Sequence, residues 1–206
     1  MKKLALVALL AVFAVAVGLV GYYRSARSDA IEDSRYLERY ADKLIGQGRT
    51  GEALGEGREA ILLRVHASAG TSVSQSLAKR LAFQNFRGGL GGIRAAGYAQ
   101  GLEERLSQRQ IMALWLETVE MGASDKGWMQ GFFATSYRVY DRLPARLTDR
   151  EFLHLAAVIF APRRYRLIGG DSALGERVDR LERLIAGDCR PRDESDTKLE
   201  GCAADT

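Results

Sequence analysis

Between positions 69 and 80 the chain reads AGTSVSQSLAKR, a stretch too polar for a core helix and too regular for a loop. Ser72, Gln75, Ser76 and Lys79 fall at i, i+3, i+4 and i+7, so two hydroxyls, an amide and an ammonium share one helical face. Val73, Leu77 and Leu81 form the opposite seam. Gly70 permits close backbone approach, and Thr71 or Ser72 suits an N-cap. A helix start with this face is suited to an anion or a sugar; a plain solvated face has the same composition. The remaining reactive side chains are sparse. His66 and His154 stand alone, and His154, inside FLHLAAVIFA, reads as a packed residue rather than a ligand. Trp115 and Trp128 read as core or membrane-facing positions rather than sugar platforms. Gly88-Gly89 and Gly91-Gly92 lack the strand before and the Lys-Ser/Thr after that a phosphate loop needs. Cys189 and Cys202 are the only cysteines, and without a neighbouring histidine they fall short of a zinc site, so no metal ligand set is assigned.

Those residues need elements to position them. Leu4 to Tyr23 is an uncharged apolar run of the length that spans a bilayer as a helix. Lys2 and Lys3 precede it, and Tyr22 and Tyr23 close it at interfacial depth. The run reads as a signal anchor; a cleaved signal peptide ending at the A-x-A of Ala14-Val15-Ala16 is the rival reading. The expected organisation is a cytoplasmic tail over 1–3, a transmembrane segment over 4–23, one domain over 28–168, and a helix with a polar tail over 171–206. The bulk of the chain would lie outside the membrane, in the periplasm of a bacterial inner membrane. An oxidising compartment would favour a Cys189–Cys202 disulfide. The net charge is +4 with both signs interspersed, which excludes a nucleic-acid stripe and suits contact with anionic membrane lipids.

Beyond the anchor the periodicity is helical throughout, and the fold class is all-α. Asp29 and Glu32 are spaced like a capping box, and Leu37, Tyr40, Ala41 and Leu44 follow on one face. A second helix is expected over Glu52 to Val65, weakened by Gly55 and Gly57. Phe86 to Gly101 is glycine-rich, a flexible loop or a loosely packed helix start. Ser107 caps a helix with Ile111, Leu114, Trp115 and Thr118 on one face, and Thr148 to Glu151 is a capping box into an apolar helix stopped at Pro162. Ser172 to Ala186 is amphipathic through Leu174, Val178, Leu181 and Leu184. Neither strand alternation nor an internal repeat is evident.

Four segments in order carry a resemblance. The opening stretch resembles G-S-T-I-T-Q-Q-L-A-K of the peptidoglycan glycosyltransferases, the transglycosylase family of monofunctional enzymes and of the N-terminal domains of bifunctional penicillin-binding proteins. Glu32-Asp33-Ser34-Arg35-Tyr36 resembles E-D-x-x-F-x-x-H-x-G. Leu102 to Glu117 runs without a gap along L-E-x-x-L-S-K-x-x-I-L-E-x-Y-L-N, and Leu147-Thr148, Glu151 and Leu155-Ala156 resemble L-T-x-x-E-x-x-x-L-A. The resemblance implies a lysozyme-like, two-lobed all-α domain, one lobe dipping into the membrane, that polymerises lipid II by inverting glycosyl transfer. It implies Glu32 as general base with Asp33 beside it. It places Ser72, Gln75, Ser76 and Lys79 at the donor site, Lys79 stabilising the departing pyrophosphate. Implied partners are lipid II or nascent glycan, membrane lipids and other cell-wall synthesis proteins. Without the resemblance, Glu32 and Asp33 read as first-turn acids complementing a helix dipole.

Several family positions differ. The second carboxylate position is Ala113, the asparagine position is Glu117, the histidine is Arg39, and the family's charges upstream of Leu102 fall near Gly92, Ala95 and Gly101, with Arg94 as one cation. No cofactor is assigned; the family's divalent cation stays open, with its expected ligand replaced by Ala113. Glu103, Glu104, Glu117 and Glu120 are the acids that could compensate, and Glu117, one turn on from Ala113, projects from nearly the same face. The alternative to an enzyme is a chain that keeps the fold and binds lipid-linked glycan or a cell-wall assembly partner.

Overall fold

The computed structural model describes residues 2–68, 70–82, 89–124, 127–159, 161–193, 196 and 198–203. Within them the fold is all-α with one small ribbon of two strands.

Helix α1, Lys2–Gly46, is a single uninterrupted element about 68 Å long at the usual rise. Leu6, Leu9, Leu10, Phe13 and Val17 are exposed, so this half is apolar all round, and α1 is long and apolar enough to cross a membrane. From Ala26 onward only one stripe is buried: Ala26, Ala30, Leu37, Ala41 and Leu44. The capping box expected at Asp29 and Glu32 does not form, because no helix starts there. Glu32 and Asp33 lie in mid-helix, too far from either end to complement a dipole.

The helix expected over Glu52 to Val65 is split into a 3-10 turn, Glu52–Leu54, and α2, Arg58–Ser68. Gly55 (φ +110°) and Gly57 (φ +71°) lie in the left-handed half of backbone space, which interrupts helical bonding between them. Helix α3 is Val73–Ala82, with Val73, Ser74, Leu77 and Ala78 buried. The glycine-rich passage, of which 86–88 lie outside the described residues, is largely helix α4, Leu90–Arg105. Far from being loosely packed, α4 lies against α1 at backbone distance. A Cβ on Gly97 would run into the Tyr23 carbonyl oxygen, and one on Gly101 would stand 2.5 Å from the Arg27 carbonyl oxygen and 2.7 Å from Ala30 Cβ. This is the use to which spaced small residues are put at helix interfaces.

Helix α5, Gln108–Thr118, starts at a reciprocal capping box between Ser107 and Gln110. It was expected to bury one face; instead every residue from Ile111 to Leu116 is buried, because α1, α3, α4 and α6 all pack around it. Strands β1, Glu120–Ser124, and β2, Gly127–Gln130, pair antiparallel with a register slip between Glu120 and Ala123. Such short strands, with Met121 and Gly122 both buried at the irregularity, show no alternation to read. Helices α6, Phe132–Tyr140, and α7, Asp149–Val158, follow; α7 is capped by Thr148 and Glu151. Helix α8, Ser172–Ala186, packs on α7 and buries Arg177 together with its leucines. The tail folds back: Cys189 and Cys202 are bonded, with Cα atoms 5.2 Å apart. The Asp196 carboxylate accepts from the backbone N–H groups of Arg192, Glu200 and Gly201 at 3.0, 2.8 and 3.0 Å.

Two consequences can be measured by chemical denaturation. Gly101→Leu, forced against α1, should cost about 2 kcal/mol or more, whereas Gly92→Ala, in the same helix with open space at its Cβ, should stabilise by about 0.5–1 kcal/mol. Opening the disulfide in a Cys189→Ser, Cys202→Ser protein, which removes a bridge between residues 13 apart, should lower stability by about 3 kcal/mol.

Candidate functional site

The close approach of α1 and α4 brings polar groups together just beyond the apolar half of α1. Arg94 donates to Asp29 at 2.9 Å and lies 5.7 Å from the centre of the Tyr22 ring. The Tyr98 hydroxyl donates to Asp33 at 2.6 Å. Arg27 grips Glu104 with two bonds, 2.7 and 2.5 Å, and Tyr23 donates to Gln100. Asp29 and Asp33 are one turn apart, as are Arg94 and Tyr98, so the two helices present matched pairs. Tyr98 is buried, and burial together with the Asp33 carboxylate pushes its phenol well above the ordinary value. The proton therefore stays on Tyr98, and Asp33 is held as its acceptor.

Glu32 is placed differently. It lines an open pocket of about 430 Å³ with Ser28, Ile31 and Arg35 of α1 and with Arg105 at the end of α4. Glu32, Arg35 and Arg105 share this pocket, yet none forms an ion pair with a described residue. A carboxylate beside two guanidinium groups can accept a proton from a bound hydroxyl while the cations face an anion. It does not suit a divalent cation, which the two arginines would repel. Among the described residues no group of three or more His, Cys, Asp or Glu is placed to hold a metal ion.

The polar face of α3 is outside this pocket. The Ser72 hydroxyl accepts from the Gln75 backbone N–H at 3.1 Å, and the Gln75 side-chain oxygen accepts from the Ser72 N–H at 3.4 Å. These two residues thus form a reciprocal cap for their own helix, while Ser76 and Lys79 are half-buried further along. Helices α1 and α3 both rest on α4 and α5. Ala113 is completely buried in α5. Glu117 is ion-paired with Arg49 and borders Tyr40, whose phenol is raised by burial first and by Glu117 second. Of the other acids, Glu104 belongs to Arg27 and Glu120 lies 3.9 Å from Arg80.

The placement of Arg35, Tyr98 and Arg105 was not evident in the sequence. Arg35 could have been found from its position one turn after Glu32. The matched spacings of Asp29, Asp33 and Arg94, Tyr98 were also present, but nothing local says that those two helices touch. Tyr36 and Tyr40 stack along α1 with ring centres 6.3 Å apart, a pair visible at i, i+4. Trp115 is wholly buried, whereas Trp128 is half-exposed on β2. His154 is half-buried, with Nδ1 3.5 Å from the Tyr140 hydroxyl, and burial lowers its pKa.

His66 stands edge-on to Trp115 at 4.7 Å and is buried; desolvation first, and Arg80 second, depress it to about 4. The folded state thus holds His66 neutral, while the unfolded chain takes up a proton below about pH 6.5. Stability should fall as pH drops from 6.5 to 4, by up to about 3 kcal/mol from this group, and level off below. Urea midpoints across that range should show the slope, and His66→Phe should flatten it.

The sequence has also been compared with known proteins. No curated protein matches the chain at a significant level. The family model described as Transglycosylase matches residues 30–185, from within α1 through most of α8, taking in Glu32, Arg35 and Arg105, α3 and the core helix α5. A match over that much of the chain settles the relationship: the chain belongs to the transglycosylase family.

Proposed function

We propose that this protein is a membrane-anchored peptidoglycan glycosyltransferase that extends glycan from lipid II, with the domain after α1 on the outer face of the membrane. The observation that carries the reading is Glu32, a carboxylate without an ion-pair partner among the described residues, on the wall of an open pocket. Its place along α1 supports it as well. Glu32 follows Tyr23 by nine residues of unbroken helix, a rise of about 14 Å, which is the depth of lipid headgroups and of a lipid-borne diphosphate.

The chemistry asked of the pocket is an inverting displacement. Glu32 removes the proton from an acceptor sugar hydroxyl as that oxygen bonds to the anomeric carbon of the donor. The bond from that carbon to the lipid diphosphate breaks, and the diphosphate leaves with the electron pair. General-base assistance of this kind is worth roughly 10²- to 10⁴-fold. Asp33 is a positioning residue on this reading: bonded to Tyr98, it fixes the rotation of α1 and hence the direction of Glu32. Ser76 and Lys79 on α3 would meet the donor further from the proton transfer.

A second reading is a catalytically silent member of the family that binds lipid-linked glycan or a partner in wall assembly. It is favoured by Ala113, buried where the family has a carboxylate, and by Glu117, already neutralised by Arg49. Polymerisation of lipid II by the full chain in detergent, read as glycan on a gel, separates the two. Wild type should make polymer, and Glu32→Gln should lose at least 100-fold. No polymer from wild type would leave the silent reading; equal polymer from both proteins would remove Glu32 from the role of base.

A further inference from the structure

Arg177 lies among the leucines of α8, 3% exposed, and its Nε and Nη1 atoms donate to no described residue. Taking a guanidinium out of water is costly unless a partner holds it, and arginine cannot escape that cost by losing its proton. The carboxylates around it are committed elsewhere. On α8 itself Asp179 and Glu182 pair with Arg150 at 2.7 and 2.9 Å, and Glu176 lies 3.9 Å from Arg180. Asp171 caps the helix through the Ala173 and Leu174 N–H groups and also accepts from the Arg166 N–H. Asp196 acts on Arg177 from the tail, but its two oxygens already serve the three backbone N–H groups of Arg192, Glu200 and Gly201. The other ionic groups that act on Arg177 are themselves cations, Arg164 and Arg180. Even with Glu176 counted against Arg180 and Asp196 against Arg177, the cluster keeps a surplus of one positive charge.

From this we infer that Arg177 anchors an oxyanion-binding site where α8 meets the disulfide-bonded tail and the 161–166 turn that follows α7. The ligand is a small oxyanion, a phosphate or a carboxylate, because a guanidinium edge offers paired N–H donors to two oxygens of one group. Arg164, exposed and 5.6 Å from the centre of the buried Tyr165 ring, supplies a second cation at the rim. Arg180 donates to the Lys198 carbonyl at 3.1 Å, so the tail crosses α8 within one turn of Arg177. A small ion enters by local opening of that segment and, once bound, ties the tail to α8. The tail lies beyond residues 30–185, so the site is assembled across the end of the family match. None of these residues lines the Glu32 pocket, and the inference stands independently of the proposed glycosyl transfer.

Melting curves read the site through the stability that a bound ion adds to the folded chain. Full-length protein in neutral detergent at pH 7.5 is followed by circular dichroism against increasing sodium phosphate and, separately, sodium acetate, with sodium chloride at matched ionic strength as the reference. Wild type should gain roughly 3–6 °C in phosphate at ten times the dissociation constant. Arg177→Met removes the charge and keeps the bulk; it should lose that gain and, in chloride, melt no lower than wild type. Arg177→Lys keeps the charge without the paired donors and should bind phosphate roughly tenfold more weakly. Arg164→Gln should weaken binding several-fold. Arg138→Gln, on the exposed side of α6, and Arg105→Gln, in the Glu32 pocket, should keep the full response.

A gain in phosphate alone marks a site for tetrahedral oxyanions, and a gain in acetate as well marks one that also takes carboxylates; both uphold it. Equal gains in wild type and the two Arg177 variants would reduce phosphate to a general salt effect and overturn the site. No gain in wild type overturns it too, as does a gain that survives in Arg177→Met and disappears in Arg105→Gln.

Discussion

The approach of α4 to α1 at Gly97 and Gly101 is the constraint on which the candidate site depends. Each glycine replaces a side chain that would collide with a carbonyl of α1. With a methyl group at either position the helix axes would have to separate, and bonds of 2.5 to 2.9 Å at Arg27, Asp29 and Asp33 could not survive a shift of that size. Those bonds in turn fix the rotation of α1 about its axis and put Arg105 across from Glu32. A contact made by the absence of side chains therefore governs where the charged ones stand.

The ion pairs flanking that contact do little of the holding. Arg27, Glu104, Arg94 and Asp29 are all at least one-third exposed, and pairs of that kind contribute at most about 1 kcal/mol each. Packing of Ala26, Ala30, Tyr98, Ala99 and Leu102, all buried, supplies the cohesion. The pairs act by removal: they tie up Arg27, Arg94, Asp29 and Glu104, whereas Glu32, Arg35 and Arg105 form no ion pair with a described residue. Tyr98 adds specificity, since a buried phenol that keeps its proton has one good acceptor, Asp33, and one orientation that satisfies it.

What could be read in the sequence was local. The cap at Ser107, the capping box at Thr148 and the bounds of α8 follow from residues close to one another in the chain, and each is found where the pattern stands. The transglycosylase resemblance was legible because motif residues are ordered along the chain, and the family match bears it out. The capping pattern at Asp29 and Glu32 misled for the same reason: it records spacing and cannot know that a helix already runs through it from Lys2. The glycines of α4 look like breakers until a second helix is set against them, and the burial of α5 on every side depends on four neighbours. Arg35 and Arg105 are separated by 70 residues of sequence, so their meeting at one pocket is a property of the packing alone.

The position of Ala113 shows how the departures from the family fit this fold. In the middle of α5, between Met112 and Leu114, it is enclosed with no exposed surface, and α5 is surrounded by α1, α3, α4 and α6. A carboxylate there would lose its hydration at a position with no exposed surface, and its longer side chain would have no open space to enter. Restoring a glutamate at that one position would therefore not restore a second acid; the surrounding packing would have to open first. The charged groups of the open pocket stand instead at the α1–α4 edge, where Glu32 faces solvent and two arginines share its pocket. On the proposed reading, acceptor activation is drawn to that edge, while the core helix α5 is committed to packing.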